Sequence, residues 1–216
     1  MKKRQRSIQT PDLPEQLDPL TIEELTDHAS YEMGAIYSAI GPVYAEHVRF
    51  EQIYFKNVTF RDTALPFSEW LDVSFENCDL SAVNLQGARL NRVTFHHCKL
   101  AGADFDRAIM QDVTWIDCQA PYLICNETKL RDVLFERCLV KGANFIDASQ
   151  ENLQLGDADI EDVQFSGTSL QAVDLSHCQF THIHVGEEEL RGAVIAPEQA
   201  SGFIELFGIR LNDQDT

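Results

Sequence analysis

Hydrophobic side chains recur at every fifth position along most of this chain. Between Val73 and Phe105 the sequence reads VSFEN CDLSA VNLQG ARLNR VTFHH CKLAG ADF, with Phe or Leu at the centre of each group of five. A small or β-branched residue lies two positions before each centre. Because an α-helix repeats about every 3.6 residues and a β-strand about every 2, a period of five fits neither element. The pattern therefore predicts a repeat architecture.

The register of five continues over residues 46–195. Its central positions hold apolar side chains, with Gln150 as the strongly polar exception. No Asp, Glu, Lys or Arg is central, and only Glu188 lies two positions before a centre. Since charged side chains are seldom buried, these two positions are predicted to form the core and the other three to face water. Glu188 at an inward position predicts that the last coil is either frayed or locally changes direction.

Most of the cysteines follow a longer period of twenty residues, and each of these lies two positions before a centre. A period of twenty groups four pentapeptides together, so these cysteines are predicted to form one inward column. Without a recognisable export signal, we expect reduced thiols that fill space rather than disulfides. The column comprises Cys78, Cys98, Cys118, Cys138 and Cys178.

Segments such as ADFDR, VNLQG, ANFID and ADIED resemble the repeats of pentapeptide-repeat proteins. The consensus of that family is Ala, then Asp or Asn, then Leu or Phe, followed by two variable polar residues. The resemblance implies an all-β fold, a right-handed quadrilateral parallel β-helix in which four pentapeptides make one coil. At about 4.8 Å between strands of neighbouring coils, residues 46–195 would form a solenoid about 36 Å long.

The register divides the chain into three predicted segments. Residues 1–45 contain four prolines and do not hold the period, so we interpret them as an N-terminal extension and cap. Within this cap, Thr21–His28 could form a short helix. Residues 46–195 form the β-helix. Residues 196–216 are predicted to form a C-terminal α-helix and dimerisation segment, with Pro197 at the first helical turn.

Composition limits the possible functions. The formal net charge is −18, from 35 acidic and 17 basic residues, which argues against direct binding to nucleic acid and favours a basic protein partner. No apolar run reaches the roughly 20 residues of a membrane helix, so we expect a cytoplasmic protein that does not engage membranes. Phosphate-binding loops and nucleophile motifs are absent, so we expect no enzyme and no cofactor. His96, His97 and Cys98 lack zinc-ligand spacing, so no metal site is predicted.

Outward charges are distributed unequally when residues are assigned to four faces by the period of twenty. The acidic face, centred on Leu65, Leu85, Phe105, Cys125, Phe145, Phe165 and Val185, has Arg107 as its single cation. Its predicted partner-binding carboxylates are Glu46, Asp104, Asp106, Glu127, Asp147 and Glu187. The balanced face, centred on Trp70, Leu90 and Leu130, mixes both signs of charge: Arg89, Arg92, Lys129, Arg131, Asp112 and Asp132.

The ending LRGAVIAPEQASGFIELFGIRL is similar to the C-terminal segment of Qnr-like proteins, the quinolone-resistance members of the pentapeptide-repeat class. The match rests on Arg191, Gly192, Gln199, Ala200, Ser201, Phe207, Gly208 and Ile209. This resemblance implies a homodimer joined through the C-terminal segment. The residues expected at that contact are Ala200, Phe203, Ile204, Phe207, Ile209 and Leu211.

The same resemblance implies a DNA-mimicking protein that binds DNA gyrase or topoisomerase IV and modulates these type II topoisomerases or protects them from quinolones. The acidic face would be the contact surface. The alternative is a structural or adaptor solenoid that binds another protein partner. Outward Phe67 and Tyr122 are candidate contact residues for either function.

Overall fold

The fold is a parallel β-solenoid. The structure, a computed structural model, describes residues 7–22 and 24–209, except for the side chains of Glu205 and Phe207. A four-residue helix, α1, spans Glu187–Leu190, and a 3₁₀-helix spans Pro197–Phe207. The strands are β1 Ser30–Ile36, β2 Val43–Tyr44, β3 Arg49–Lys56, β4 Thr63–Ala64, β5 Glu69–Glu76, β6 Arg89–His96, β7 Ile109–Ile116, β8 Lys129–Glu136 and β9 Ser149–Gly156.

Coils stack in register with a period of twenty residues. The main sheet has the strand order β1-β3-β5-β6-β7-β8-β9, and its neighbours pair in parallel, as Trp70 with Leu90. Bridges such as Asp79 with Lys99 and Asn84 with Asp104 continue the same spacing on the other sides of the solenoid. These ladders confirm the predicted quadrilateral parallel β-helix with four pentapeptides per coil.

The solenoid axis is filled by the central side chains, as predicted. Phe55, Phe75 and Phe95 stack with ring centroids 4.8 Å apart at each step. Trp115 continues this column at 4.3 Å from Phe95. The polar exception, Gln150, is only half-buried, and its Nε2 donates to the main-chain oxygens of residues 169 and 171. A polar centre is therefore accommodated near the solenoid surface without an unpaired amide.

Each corner turns at the residue two positions after a centre. That residue has a positive φ in most coils, for example 55° at Asp72, 53° at Asn77 and 54° at Asp112. Asn and Asp tolerate this left-handed conformation better than most residues with a side chain. The frequent Asn, Asp and Gly at this position thus follow from the geometry of the turn.

Small polar side chains two positions before a centre donate hydrogen bonds to the main chain of the preceding coil. The Sγ of Cys98 donates to the carbonyl oxygen of Phe75 at 3.6 Å, and the Oγ1 of Thr128 donates to Phe105 at 3.1 Å. All six cysteines are buried and unbridged, and five of them form the predicted column. Burial raises the pKa of Cys178 to about 12, so this thiol stays protonated at neutral pH.

The sheet begins earlier than the predicted boundary at residue 46. Strand β1 pairs with β3 at an offset of nineteen residues, as in Ile36 with Phe55, whereas Ile40 pairs with Phe60 at the usual twenty. One residue is therefore missing between Ile36 and Ile40, which takes β1 out of the five-residue register. The short helix predicted over Thr21–His28 is wrong for the residues described there, which form no helix and end in a turn.

The N-terminal strap, residues 7–20, runs along the solenoid in an irregular extended conformation. The main-chain N–H of Gln9 donates to Oδ1 of Asp112 at 2.9 Å, and that of Asp12 donates to Oδ1 of Asp72 at 2.8 Å. Three extended residues span about 10 Å, and two coils span about 9.6 Å, so the spacings match. The Nε2 of Gln52 adds a 3.0 Å bond to the carbonyl oxygen of Asp12.

The strap corrects the prediction that every outward position faces water. Asp72, Asp112 and Asp132 are at most 5% exposed although they occupy turn positions of the balanced face. Burial opposes ionisation of Asp72, but hydrogen bonds from Arg92 and from the Asp12 N–H together hold the pKa of its carboxyl below the ordinary value. Arg92 donates two hydrogen bonds of 2.6 Å to Asp72, from Nε to Oδ1 and from Nη2 to Oδ2. Asp72 and Asp112 thus anchor the strap.

The C-terminal end of the solenoid is closed by the segment after the register. Glu188 is exposed because α1 replaces the expected coil geometry, which confirms the predicted change of direction. Beyond it, a 3₁₀-helix forms where an α-helix was expected. Its Gln199 Nε2 donates to the carbonyl oxygens of Leu175 and Cys178 at 3.0 and 3.1 Å. Phe203 packs on Phe180 with ring centroids 5.8 Å apart.

Candidate partner-binding face

The carboxylates predicted for the acidic face differ in exposure. Glu127, Asp147 and Glu187 are exposed, whereas Glu46, Asp104 and Asp106 are half-buried. The one cation predicted for this face, Arg107, donates through Nε to Asp106 Oδ2 at 3.2 Å. The acidic face therefore presents an excess of carboxylates, most openly in its C-terminal half.

Part of this acidity has a local structural role. Asp104 Oδ1 accepts the main-chain N–H of Asp106 at 2.8 Å, just as Asn84 Oδ1 accepts that of Gln86 at 2.9 Å one coil earlier. Asp and Asn favour such turns because their short side chains can bond the backbone two residues ahead. Asp104 therefore both stabilises the turn and carries a negative charge. Asn at this position would keep the turn hydrogen bond and remove the charge.

Glu127 and Asp147 lie at equivalent corners of neighbouring coils. Both have a φ of 52°, and their main-chain N–H groups donate to Ile146 and Ser166 at 2.8 and 2.9 Å. Stacked corners are about 4.8 Å apart, so the solenoid fixes the spacing of these two exposed carboxylates. Gly167 follows in the same column and leaves room for the Asp147 side chain, which a Cβ at Gly167 would meet at 2.0 Å.

Two acidic residues near this face were missed by the sequence analysis. Asp27 accepts the Glu46 N–H at 2.9 Å, because the turn that precedes β1 stacks on the first corner. Glu189 accepts the N–H of Gly167 at 3.2 Å, because α1 moves it away from the face that the period of twenty assigns. Both lie where the regular register fails, so counting in twenties could not find them.

Aromatic side chains occupy the N-terminal half of the same face. His28, His47 and Phe67 form an outward stack with ring centroids 5.1 and 5.4 Å apart. The Phe67 ring lies over Gly87, where a Cβ would approach it to 2.6 Å. Tyr44 is 65% exposed and donates its hydroxyl to Glu46, a bond that raises the pKa of Tyr44. This half of the acidic face offers apolar and hydrogen-bonding contacts beside the carboxylates.

The balanced face has much of its charge engaged within the chain. Arg92 is committed to Asp72, and Arg131 contacts Glu151 at 3.2 Å. The strap also covers one edge of this face. The balanced face is therefore a poorer candidate than the acidic face for binding a strongly basic partner.

A histidine pair lies at a different corner of the solenoid. His96 and His97 pack edge to face with ring centroids 4.3 Å apart, and Asp117 lies one coil further along. Candidate ligand atoms of these three side chains lie within 4.8 Å of one another. Cys98 is excluded from the group because its Sγ points inward, as the register predicted.

The predicted dimer-contact residues fall into three groups. Phe203 is 5% exposed and belongs to the core of its own chain, and Ile204 is half-buried. Ala200 and Ile209 are exposed, as is Leu206, which the sequence analysis did not select. The side chain of Phe207 and the whole of Leu211 lie outside the described residues.

No segment in the part of the chain described here is a helix long and apolar enough to cross a bilayer. No curated protein matches the chain. Similar solved structures include a trypsin-treated form of QnrB1, a plasmid-mediated fluoroquinolone resistance protein. It is 18% identical, with 87% of this chain and 95% of that chain covered and a TM-score of 0.44.

HetL, a pentapeptide repeat protein involved in heterocyst differentiation regulation in the cyanobacterium Nostoc, is also 18% identical. The likeness covers 78% of this chain and 86% of that chain, with a TM-score of 0.27. The family model of the pentapeptide repeat region matches residues 68–145 and 88–161. Both matches lie within the register of five and the stacked coils of twenty residues. The chain therefore contains a pentapeptide repeat region over residues 68–161.

Proposed function

We propose that this protein binds a type II topoisomerase, DNA gyrase or topoisomerase IV, by presenting its acidic face to the basic surface that normally holds DNA. In this role it acts in the cytoplasm as a DNA mimic and modulates the enzyme or protects it from quinolones. The observation that carries the proposal is the pair of exposed carboxylates, Glu127 and Asp147, at equivalent corners of neighbouring coils. The Qnr-like C-terminal sequence supports the choice of partner.

Charge density limits how closely the solenoid can imitate DNA. A duplex carries one charge per roughly 1.7 Å, or about three per 4.8 Å coil. The acidic face supplies about one carboxylate per coil, so its electrostatic attraction alone is weaker than that of DNA. Tyr44 and Phe67 would add contacts that do not depend on charge. We therefore expect binding that weakens with salt but is not abolished by it.

A binding role fits the solenoid better than catalysis. The interior is filled by stacked aromatic side chains, and the exposed carboxylates lie along a repeating surface rather than around an enclosed cavity. Substrate pockets are usually concave and converge several polar groups on one volume. The acidic face is instead an extended surface, which suits a macromolecular partner.

The test compares two pairs of charge-neutralising substitutions. Glu127→Gln with Asp147→Asn removes two charges from the acidic face, and Asp157→Asn with Asp162→Asn removes two exposed charges from other corners. Surface charge pairs are worth up to about 1 kcal/mol each, so the first variant should bind gyrase about tenfold more weakly. The second variant should bind like the natural sequence. Equal affinities for the two variants would contradict the choice of face.

Supercoiling and quinolone-stabilised DNA cleavage report the functional consequence. The natural protein at micromolar concentration should alter at least one of these reactions with gyrase or topoisomerase IV, and the acidic-face variant should do so less. A protein that binds neither enzyme and alters neither reaction would leave the adaptor function, with another protein partner, as the remaining interpretation.

We also propose that two copies join through their C-terminal segments, giving a longer rod. The exposed Leu206 and Ile209 are better probes of this contact than Phe203, which is buried in its own chain. Leu206→Glu with Ile209→Glu should yield a folded monomer in sedimentation experiments. Phe203→Glu should instead destabilise the C-terminal end. A dimer that persists in the first variant would rule out this interface.

A further inference from the structure

His96, His97 and Asp117 bring three potential metal ligands to one corner of the solenoid. His96 ends strand β6, His97 follows it with a φ of 54°, and Asp117 occupies the corresponding corner of the next coil with a φ of 52°. The left-handed corners turn the side chains of His97 and Asp117 outward in the same column. The period of twenty, which separates residues 97 and 117, therefore creates a cluster that no local sequence motif reveals.

The three side chains lie slightly too far apart to bind one ion, and a small rotation would bring their ligand atoms close enough. The Nδ1 atom of His97 lies 4.0 Å from Oδ2 of Asp117, and candidate ligand atoms of all three residues lie within 4.8 Å of one another. Zinc bonds to nitrogen and oxygen of about 2.0–2.2 Å require neighbouring ligand atoms roughly 3.3 Å apart in a tetrahedral site. His97 is exposed and the other two side chains are half-buried, so rotation of the His97 side chain can reduce these distances without moving the coils.

Arg137 holds the Asp117 carboxylate in a favourable orientation. Its Nε donates to Oδ1 at 2.7 Å and its Nη2 donates to Oδ2 at 3.1 Å, so the stronger bond is to the oxygen that does not face His97. The hydrogen bond from Arg137 is also the main reason that the pKa of Asp117 is lowered. Oδ2 can bind an ion while Oδ1 stays bonded to the guanidinium, as outer-shell partners of metal ligands often do.

We propose that His96, His97 and Asp117 form a binding site for a divalent transition-metal ion, with Zn²⁺ as the principal candidate. Two imidazole nitrogens and one carboxylate oxygen favour zinc and its neighbours over Mg²⁺ or Ca²⁺, which prefer oxygen ligands. A water molecule would complete a four-coordinate site. The site is separate from the acidic face, and zinc binding does not depend on the proposed topoisomerase function.

Calorimetric titration of the full-length protein with Zn²⁺ tests the proposal directly. We expect one saturable site per chain and at least tenfold weaker binding after His97→Asn. Asn is a suitable replacement because it tolerates the left-handed corner but is a poor zinc ligand. Co²⁺ provides a second readout, since a site with these ligands should give visible absorption bands that His97→Asn removes.

The control is a second histidine pair of similar geometry. His182 and His184 also pack edge to face, with ring centroids 4.6 Å apart. Within the described residues, no third His, Cys, Asp or Glu completes that pair as a group of metal ligands. His182→Asn should therefore leave zinc binding unchanged. Failure of the natural protein to bind zinc, or equal binding by both variants and the natural protein, would overturn the proposal.

Discussion

The main-chain N–H of Asp12 donates a 2.8 Å hydrogen bond to Oδ1 of Asp72, sixty residues further along the chain. Through this bond and the equivalent one from Gln9 to Asp112, an N-terminal segment without regular secondary structure acquires a fixed register on the solenoid. The bonds use backbone donors, so side-chain substitutions in the strap test its anchoring less directly than removal of an N–H.

Asp12→Pro is predicted to release the strap. Proline has no main-chain N–H to donate to Asp72, and a substitution at residue 12 leaves the sequence of the solenoid unchanged. Asp12→Asn is the matched control, because it removes the carboxylate of Asp12 but retains the N–H. Hydrogen–deuterium exchange over residues 7–20 should be faster in the proline variant and near that of the natural protein in the asparagine variant. Slow exchange in both variants would show that the strap is held by other contacts.

Acidification is predicted to weaken the same attachment. The pKa of Asp72 is lowered from its ordinary value of 3.8, so its ionised form stabilises the folded state above that value. This stabilisation is lost as the pH falls through the still lower folded pKa, since both states then bind the proton. The melting temperature of the natural protein should fall more between pH 5 and pH 2 than that of Asp72→Asn. Parallel falls in the two proteins would exclude a specific contribution from Asp72.

The two tryptophans are predicted to respond differently to substitution by phenylalanine. Trp70 Nε1 donates to Ser68 Oγ at 2.7 Å, whereas Trp115 Nε1 is buried and has no hydrogen-bond partner within the described structure. Trp70→Phe therefore loses a bond that Trp115→Phe does not. The loss in the free energy of unfolding should be about 1 kcal/mol greater for Trp70→Phe. Chemical denaturation monitored by circular dichroism would measure it, and the reverse order would contradict this account.

Gly87 and Gly102 provide a matched pair for the aromatic row on the acidic face. Both have a left-handed φ, of 68° and 65°, but a Cβ at Gly87 would meet the Phe67 ring at 2.6 Å, whereas one at Gly102 meets nothing within 4 Å. Gly102→Ala should cost about 1 kcal/mol for the backbone conformation alone. Gly87→Ala should cost more or displace Phe67. Equal stabilities and an unchanged Phe67 NMR spectrum would show that the contact is unimportant.

The sequence was sufficient to predict the solenoid because one local rule repeats in every coil. Phe75 and Cys78 have the same surroundings as Phe95 and Cys98, so the period that aligns them also buries them. The pairing of β1 with β3 was not predicted, because one residue is missing near Ile36 and the spacing there is nineteen residues instead of twenty. A single missing residue moves every earlier position out of the register.

Contacts outside the repeat were the least predictable. Nothing around Asp112 indicates that Gln9 covers it, because the strap contains no repeat and lies about one hundred residues away in the chain. Glu189 accepts the N–H of Gly167 because α1 interrupts the coil, and the period of twenty does not indicate this contact. The period of twenty places His97 next to Asp117, whereas the spacing of residues within one coil gives no sign of this pair.

Gln199 and Phe203 also cover the C-terminal end of the β-helix. A parallel β-helix without a terminal cap would offer unpaired carbonyl groups as a template for another strand, and copies could then add end to end into fibres. Here one glutamine amide binds the carbonyl oxygens of Leu175 and Cys178, and Phe203 covers Phe180. We therefore expect any joining of two copies at this end to use side chains rather than these two carbonyl groups. A two-fold symmetric contact of this kind would stop at a pair, because each copy then uses its one C-terminal surface.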